Sequence, residues 1–177
     1  MESESTRIEQ ALNNALKTEQ EGKAFYLKAS EGSANKLVKD LFRELAEEED
    51  AHARRFQEIC KALKQKHNWP NEMLFTPEKG KRLKSLFARA ARKLGTKVEI
   101  ARSELEAIEI ALEMEMKSYE LYRSLADNSK VRAEREFYEA LAGEEQQHRL
   151  TLLDSREYLS DPAGWFTKRE HWSLDGI

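Results

Sequence analysis

The sequence predicts an all-α protein: an antiparallel four-helix bundle with one long crossover that contains a short basic amphipathic helix. Four segments, 6–31, 34–65, 103–127 and 130–159, carry apolar residues at helical spacing without internal proline, and Pro70, Pro77 and Pro162 all fall outside them. Charged residues make up 36% of the 177, and 7 glycines with 3 prolines leave few turn signals for a sheet. The halves of the chain also repeat each other at a fixed offset.

In chain order, the first segment opens with Thr6-x-x-Glu9 and the third with Ser103-x-x-Glu106. Both are capping-box patterns, in which a hydroxyl and a carboxylate satisfy backbone N–H groups at a helix start. Short connections at Gly32 and at Asp127-Asn128 make antiparallel neighbours of the first and second helices and of the third and fourth. The chain is thus expected to form one domain over 1–177, with a hairpin at 6–65, a crossover at 66–102, a second hairpin at 103–159 and an aromatic tail at 160–177. Residues 79–97 of the crossover hold eight basic residues and no acidic one. Leu83, Leu86, Phe87, Ala90 and Leu94 share one helical face there, which predicts a helix ending near Gly95. Its favoured role is to pack that stripe on the bundle; a basic docking patch is the alternative.

A net charge of -3 gives no footprint of a nucleic-acid binder. Cys60 is the single cysteine and reads as a packing thiol; alone it makes neither an internal disulfide nor a four-thiolate metal site. Any iron must be held by nitrogen and oxygen. No signal peptide and no membrane span is recognisable, so a soluble cytoplasmic protein is expected.

The repeat has an offset of 96 residues. Ala11, Ala15, Leu16, Glu19 and Tyr26 fall on Ala107, Ala111, Leu112, Glu115 and Tyr122, and Leu45, Ala46, Glu48, Glu49 and His52 fall on Leu141, Ala142, Glu144, Glu145 and His148. Steps of four and three along the second segment give Val38, Phe42, Leu45, Glu49, His52, Phe56, Ile59 and Leu63, the core line of a bundle helix. The same stepping places Glu19, Glu115, Glu145 and His148 on the core lines of the other three. Four converging buried carboxylates repel one another unless cations or protons neutralise them. Two divalent metals balance four negative charges, and one Glu from each of two helices plus Glu-x-x-His from each of the others is a di-metal carboxylate ligand set. A Glu and a His three residues apart share a helix face and grip the same ion.

One Glu-x-x-His in so acidic a chain is weak; two in register, each with a partner glutamate 30 residues upstream, are not. Glu47 and Glu48 are assigned to a solvated face, and His67 and His171 lack such context. Tyr26 and Tyr122, two turns beyond Glu19 and Glu115, either orient ligands and carry electrons or are core aromatics with a local partner. Gly22 and Ser118 leave room for metals or serve close packing.

A-L-K-T-E-Q-E-G-K-A-F-Y with L-A-E-E-E-D-A-H, and A-L-E-M-E-M-K-S-Y-E-L-Y with L-A-G-E-E-Q-Q-H, resemble the two hairpins of the rubrerythrin branch of the ferritin-like superfamily over about residues 6–160. The ending D-P-A-G-W-F-T-K-R-E-H-W-S-L-D-G resembles the tails of forms without a rubredoxin domain. The resemblance implies two iron ions, with manganese or a mixed pair as alternatives. Glu49 and Glu145 would bridge them, Glu19 and Glu115 would be terminal ligands, and His52 and His148 would each cap one iron. Where full rubrerythrins carry a further glutamate, this chain has Ser118. The expected activity is reduction of hydrogen peroxide or oxygen with an external electron donor such as a rubredoxin-like protein. A ferroxidase or iron-storage role, or an interaction module using the basic helix or the aromatic tail, are the alternatives. The tail, with Trp165, Phe166 and Trp172, is expected to pack on the bundle or a neighbouring subunit, giving a homo-oligomer, most simply a dimer.

Overall fold

The computed structural model describes residues 4–66, 69–70 and 79–174; His67 and Pro77 lie outside these, as do the side chains of His171 and Trp172. The described residues form six helices and no strand: α1 (Glu4–Gly32), α2 (Lys36–Lys66), α3 (Lys79–Leu94), α4 (Arg102–Asn128), α5 (Arg132–Ser160) and α6 (Pro162–Leu174). The closest packing is α1 on α2 and α4 on α5, the two expected hairpins. No described helix is long and apolar enough to cross a membrane.

Side chains fix several of the helix ends. Asn35 Oδ1 accepts the N–H groups of Leu37 and Val38 at 2.9 and 3.2 Å and so caps α2. Both proposed capping boxes are misplaced. Thr6 lies inside α1, and α4 starts upstream of Ser103, where Glu104 accepts the Ala101 N–H at 2.9 Å. Glu104 also accepts the Asn35 N–H at 2.8 Å, so one carboxylate ties the first hairpin's turn to the start of the second. At the opposite end the Arg7 guanidinium reaches the buried Glu134 carboxylate at 3.4 Å.

Helix α3 lies on α5 and α2 and buries Leu83, Phe87 and Ala91. Its apolar stripe is therefore packed, as favoured, with one correction: Leu94 is 44% exposed, because the helix ends there and Gly95 turns the chain at φ 66°, a left-handed conformation natural to glycine. Lys84, Arg89, Arg92 and Lys93 stay exposed. The Tyr158 hydroxyl donates to the carbonyls of Gly95 at 2.7 Å and Ala91 at 3.2 Å, so α5 caps the carbonyl end of α3. Tyr158→Phe should cost about 1 kcal/mol of unfolding free energy in urea titrations, since it removes the side-chain donor to the Gly95 carbonyl, while Ala91 keeps the Gly95 N–H; an unchanged midpoint would show that water replaces the bond.

The tail is a helix, which the sequence reading left unassigned. Asp161 Oδ1 accepts the Gly164 N–H at 3.0 Å ahead of α6, Trp165 is buried against Tyr158 and Phe87, and its Nε1–H donates to Asp154 at 2.8 Å. Arg169 covers the indole at 4.1 Å and pairs with the same Asp154. Trp165 is thus taken up within the chain.

Candidate metal centre

Helices α1, α2, α4 and α5 each place one glutamate in the middle of the bundle: Glu19, Glu49, Glu115 and Glu145, none more than 4% exposed. His52 and His148 lie one turn along from Glu49 and Glu145, buried and stacked on each other with ring centroids 5.7 Å apart. Apolar layers enclose them, with Phe42, Leu45 and Ile108 in one cluster and Phe56, Ile59 and Leu141 in the other. All six candidate ligands of the sequence reading are brought together. Glu19, Glu49, His52 and Glu145 offer ligand atoms within 4.8 Å of one another, as do Glu49, Glu115, Glu145 and His148. Glu49 and Glu145 belong to both groups.

Each imidazole turns Nδ1 inward. His52 Nδ1 stands 3.0 Å from Glu19, 3.2 Å from Glu145 and 3.8 Å from Glu49. His148 Nδ1 stands 3.4 Å from Glu115, 3.5 Å from Glu49 and 3.8 Å from Glu145. Their Nε2 atoms reach across to the other hairpin, His52 to Glu144 at 2.6 Å and His148 to Glu48 at 2.7 Å. A carboxylate that takes the Nε2 proton fixes the tautomer and aims the Nδ1 lone pair at the centre.

The assignment of Glu48 to a solvated face is therefore wrong: it is 5% exposed and holds His148, as Glu144 holds His52. Both sit one residue before a core-line glutamate, where a bundle helix faces its neighbour rather than the central axis. The repeat carried the signal. Glu48 has a glutamate twin at 144, whereas Glu47, which is exposed, falls on Gly143.

The tyrosines also cross between hairpins. The Tyr26 hydroxyl donates to Glu115 Oε1, and the Tyr122 hydroxyl to Glu19 Oε1. Both hydroxyls thus sit on carboxylates of the cluster. Around them the repeat is imperfect: Tyr26 stacks on Phe42 at 5.8 Å, whereas Tyr122 stacks on Tyr138 at 6.4 Å.

Without metal the cluster is balanced by protons. Burial, then the Glu49 charge, pushes the Glu19 and Glu145 carboxyls well above the ordinary range. Against its own burial, Glu49 is held down at about 2 by the hydrogen bond with Glu19 and by the nearby His148 and His52 imidazoles. His52, despite burial, is raised to about 9 by Glu144 and Glu145, and His148 is raised by Glu115. Metal must displace these protons. Loading the metal-free protein with a divalent cation should release protons, and the apparent affinity should rise with pH until His52 is deprotonated, above about 9. Calorimetry in two buffers of different ionisation enthalpy measures this; zero proton release would sink it.

The donor set fits a metal pair. Glu115 Oε2, Glu145 Oε1 and His148 Nδ1 are buried without a hydrogen-bond partner, an arrangement that is costly unless something else engages them. Carboxylate oxygens with imidazole nitrogens suit iron or manganese, and no thiolate is among them.

A rubrerythrin family model matches residues 10–156. The chain belongs to the rubrerythrin family. Searches among curated proteins and among solved structures return no match. The rubrerythrin match spans both hairpins and the crossover, and together with the buried carboxylate–histidine cluster it supports a di-iron site. A cavity of about 240 Å³ between α1 and α4 reaches Glu49 and Glu115, with Gly22, Ser118, Thr18 and Met114 in its wall. A Cβ on Gly22 would stand 3.5 Å from the Glu49 carboxylate, so alanine fits there and any larger side chain enters the cavity.

Proposed function

We propose that this rubrerythrin-family chain is a di-iron oxidoreductase that reduces hydrogen peroxide or oxygen with electrons from an external donor such as a rubredoxin-like protein. The observation that carries the reading is the pair of overlapping ligand groups that share Glu49 and Glu145. When bound, the metal pair supplies the redox chemistry and an open coordination position. Glu19 and His52 would hold one ion, Glu115 and His148 the other, with Glu49 and Glu145 between them. Glu144 and Glu48 keep the Nε2 protons of His52 and His148, so that both rings present Nδ1. Tyr122 and Tyr26 each engage Oε1 of Glu19 and Glu115, which leaves Oε2 for a metal. The apolar layers exclude bulk water, and the Gly22–Ser118 cavity gives a small oxidant a way to Glu49 and Glu115.

Anaerobic ferrous loading should bind about two irons per chain. Peroxide or oxygen should then raise the near-ultraviolet absorbance as the bound ferrous iron is oxidised, and stopped-flow comparison of the two oxidants ranks them as substrates. A ferroxidase is the second reading, since the cavity that reaches Glu49 and Glu115 would also admit ferrous ions. Turnover separates the readings: a peroxidase cycles with a reductant while its irons stay bound, whereas a ferroxidase consumes many ferrous ions per site. Protein that binds no iron would refute both.

A further inference from the structure

The repeat makes the two halves of the centre twins, yet the charges behind the two histidines differ. Glu144 Oε2 accepts from His52 Nε2 at 2.6 Å and also from an Arg55 guanidinium nitrogen at 3.2 Å. The Arg55 side chain is 17% exposed, so this ion pair is only partly screened. On the twin side Glu48 Oε2 accepts from His148 Nε2 at 2.7 Å. The position that corresponds to Arg55 at the offset of 96 is Thr151, a buried residue whose hydroxyl donates to the Gln147 carbonyl at 3.0 Å. Among the described residues no lysine or arginine lies within ion-pair distance of Glu48.

We propose that Arg55 makes the two metal positions unequal, so that a divalent cation fills the position of Glu115 and His148 first and that of Glu19 and His52 second. The inference rests on the metal reading above and goes beyond it by ordering the two positions. A carboxylate that accepts a ring N–H draws the proton toward itself and enriches the opposite nitrogen, which makes the imidazole a stronger ligand. Glu48 does this for His148 with its full charge. Glu144 shares the same oxygen with a guanidinium, which neutralises part of that charge, so His52 is the weaker donor. The guanidinium charge itself, two bonds of the same network away, repels an ion at the His52 position and acts in the same direction. Arg55 pairs with Glu144 rather than with a candidate ligand, so it acts through Glu144 and is a positioning residue.

The outer partners of metal-bound histidines are typically worth about 10–100-fold in affinity. Arg55 weakens such a partner without removing it, so the expected effect is about tenfold. Two cations held this close repel each other, so a two-step isotherm alone assigns nothing and variants must do so. Metal-free full-length protein is titrated with Zn²⁺, and separately with Co²⁺, by calorimetry at fixed pH, with thermal melts confirming that each variant folds. Arg55→Thr, which installs the twin's residue, should tighten the weaker step about tenfold and leave the tighter step unchanged; Arg55→Lys, which keeps the charge, should preserve the gap. Glu48→Gln should weaken the tight step, and Glu144→Gln only the weak one. Unchanged constants in Arg55→Thr, or a gap that closes equally in Arg55→Lys, overturn the inference while the metal reading stands. A wild-type protein that binds neither cation overturns the metal reading and this inference with it.

Discussion

Replacing Glu49 with alanine should empty both metal positions at once. Glu49 belongs to both ligand groups, whereas Glu19 belongs to one. Glu49→Ala should therefore reduce anaerobic ferrous loading from about two irons per chain to near zero, and Glu19→Ala to about one. The helices should survive, because the substitution removes a buried charge and leaves the apolar core residues of α2, Val38, Phe42, Leu45, Phe56 and Ile59, in place. Metal analysis of the loaded variants, with circular dichroism as the control for folding, decides the matter. Full loading of Glu49→Ala would show that the carboxylate does not lie between the ions.

The second large effect concerns the chain without metal. Glu145 is 1% exposed and its carboxyl is pushed well up by burial and by the charges of Glu49 and Glu115. A buried carboxyl oxygen without a hydrogen-bond partner, as Glu145 Oε1 is, costs about 1–3 kcal/mol. Metal-free Glu145→Leu should thus melt above the metal-free wild type. The pH dependence has a definite sign. A carboxyl whose pKa is higher in the fold than in the unfolded chain supports the fold fully below its ordinary value of 4.5, and that support is lost as pH rises toward the folded value. The advantage of Glu145→Leu should therefore grow as pH increases above the ordinary value. Metal should reverse the ranking, since a cation at one hundred times its Kd adds about 2.7 kcal/mol to the wild type alone. A variant that melts below the metal-free wild type at every pH would show that Glu145 is well satisfied by protons.

The core lines made most of this legible from the sequence. Residues such as Val38, Phe42, Leu45, Phe56 and Ile59 are fully buried where stepping by four and three placed them, and the same arithmetic brought six polar residues to one place. What it missed lies off that line or depends on contacts distant in sequence. Glu48 and Glu144 face neighbouring helices, a direction that a single core line does not represent. Glu104 caps α4 while it also receives the Asn35 N–H from the other hairpin, so the start of that helix is set partly by residues 69 positions away. The tail helix has its own local signal, Asp161-Pro162, an N-cap followed by a proline at the first helical position.

Four of the hydrogen bonds that orient the centre run from one hairpin to the other: Tyr26 to Glu115, Tyr122 to Glu19, His52 to Glu144 and His148 to Glu48. Neither hairpin contains a finished half; each candidate ligand group takes a glutamate from the other hairpin, and each hairpin carries the hydrogen-bonding supports of the other's histidine. A chain severed in the crossover would yield two peptides whose inward faces are incomplete apart, and the ions would become the adhesive that selects their pairing. In that sense the protein is a near-symmetric pair of hairpins held in one chain, with a crossover whose helix α3 also packs on α2 and α5.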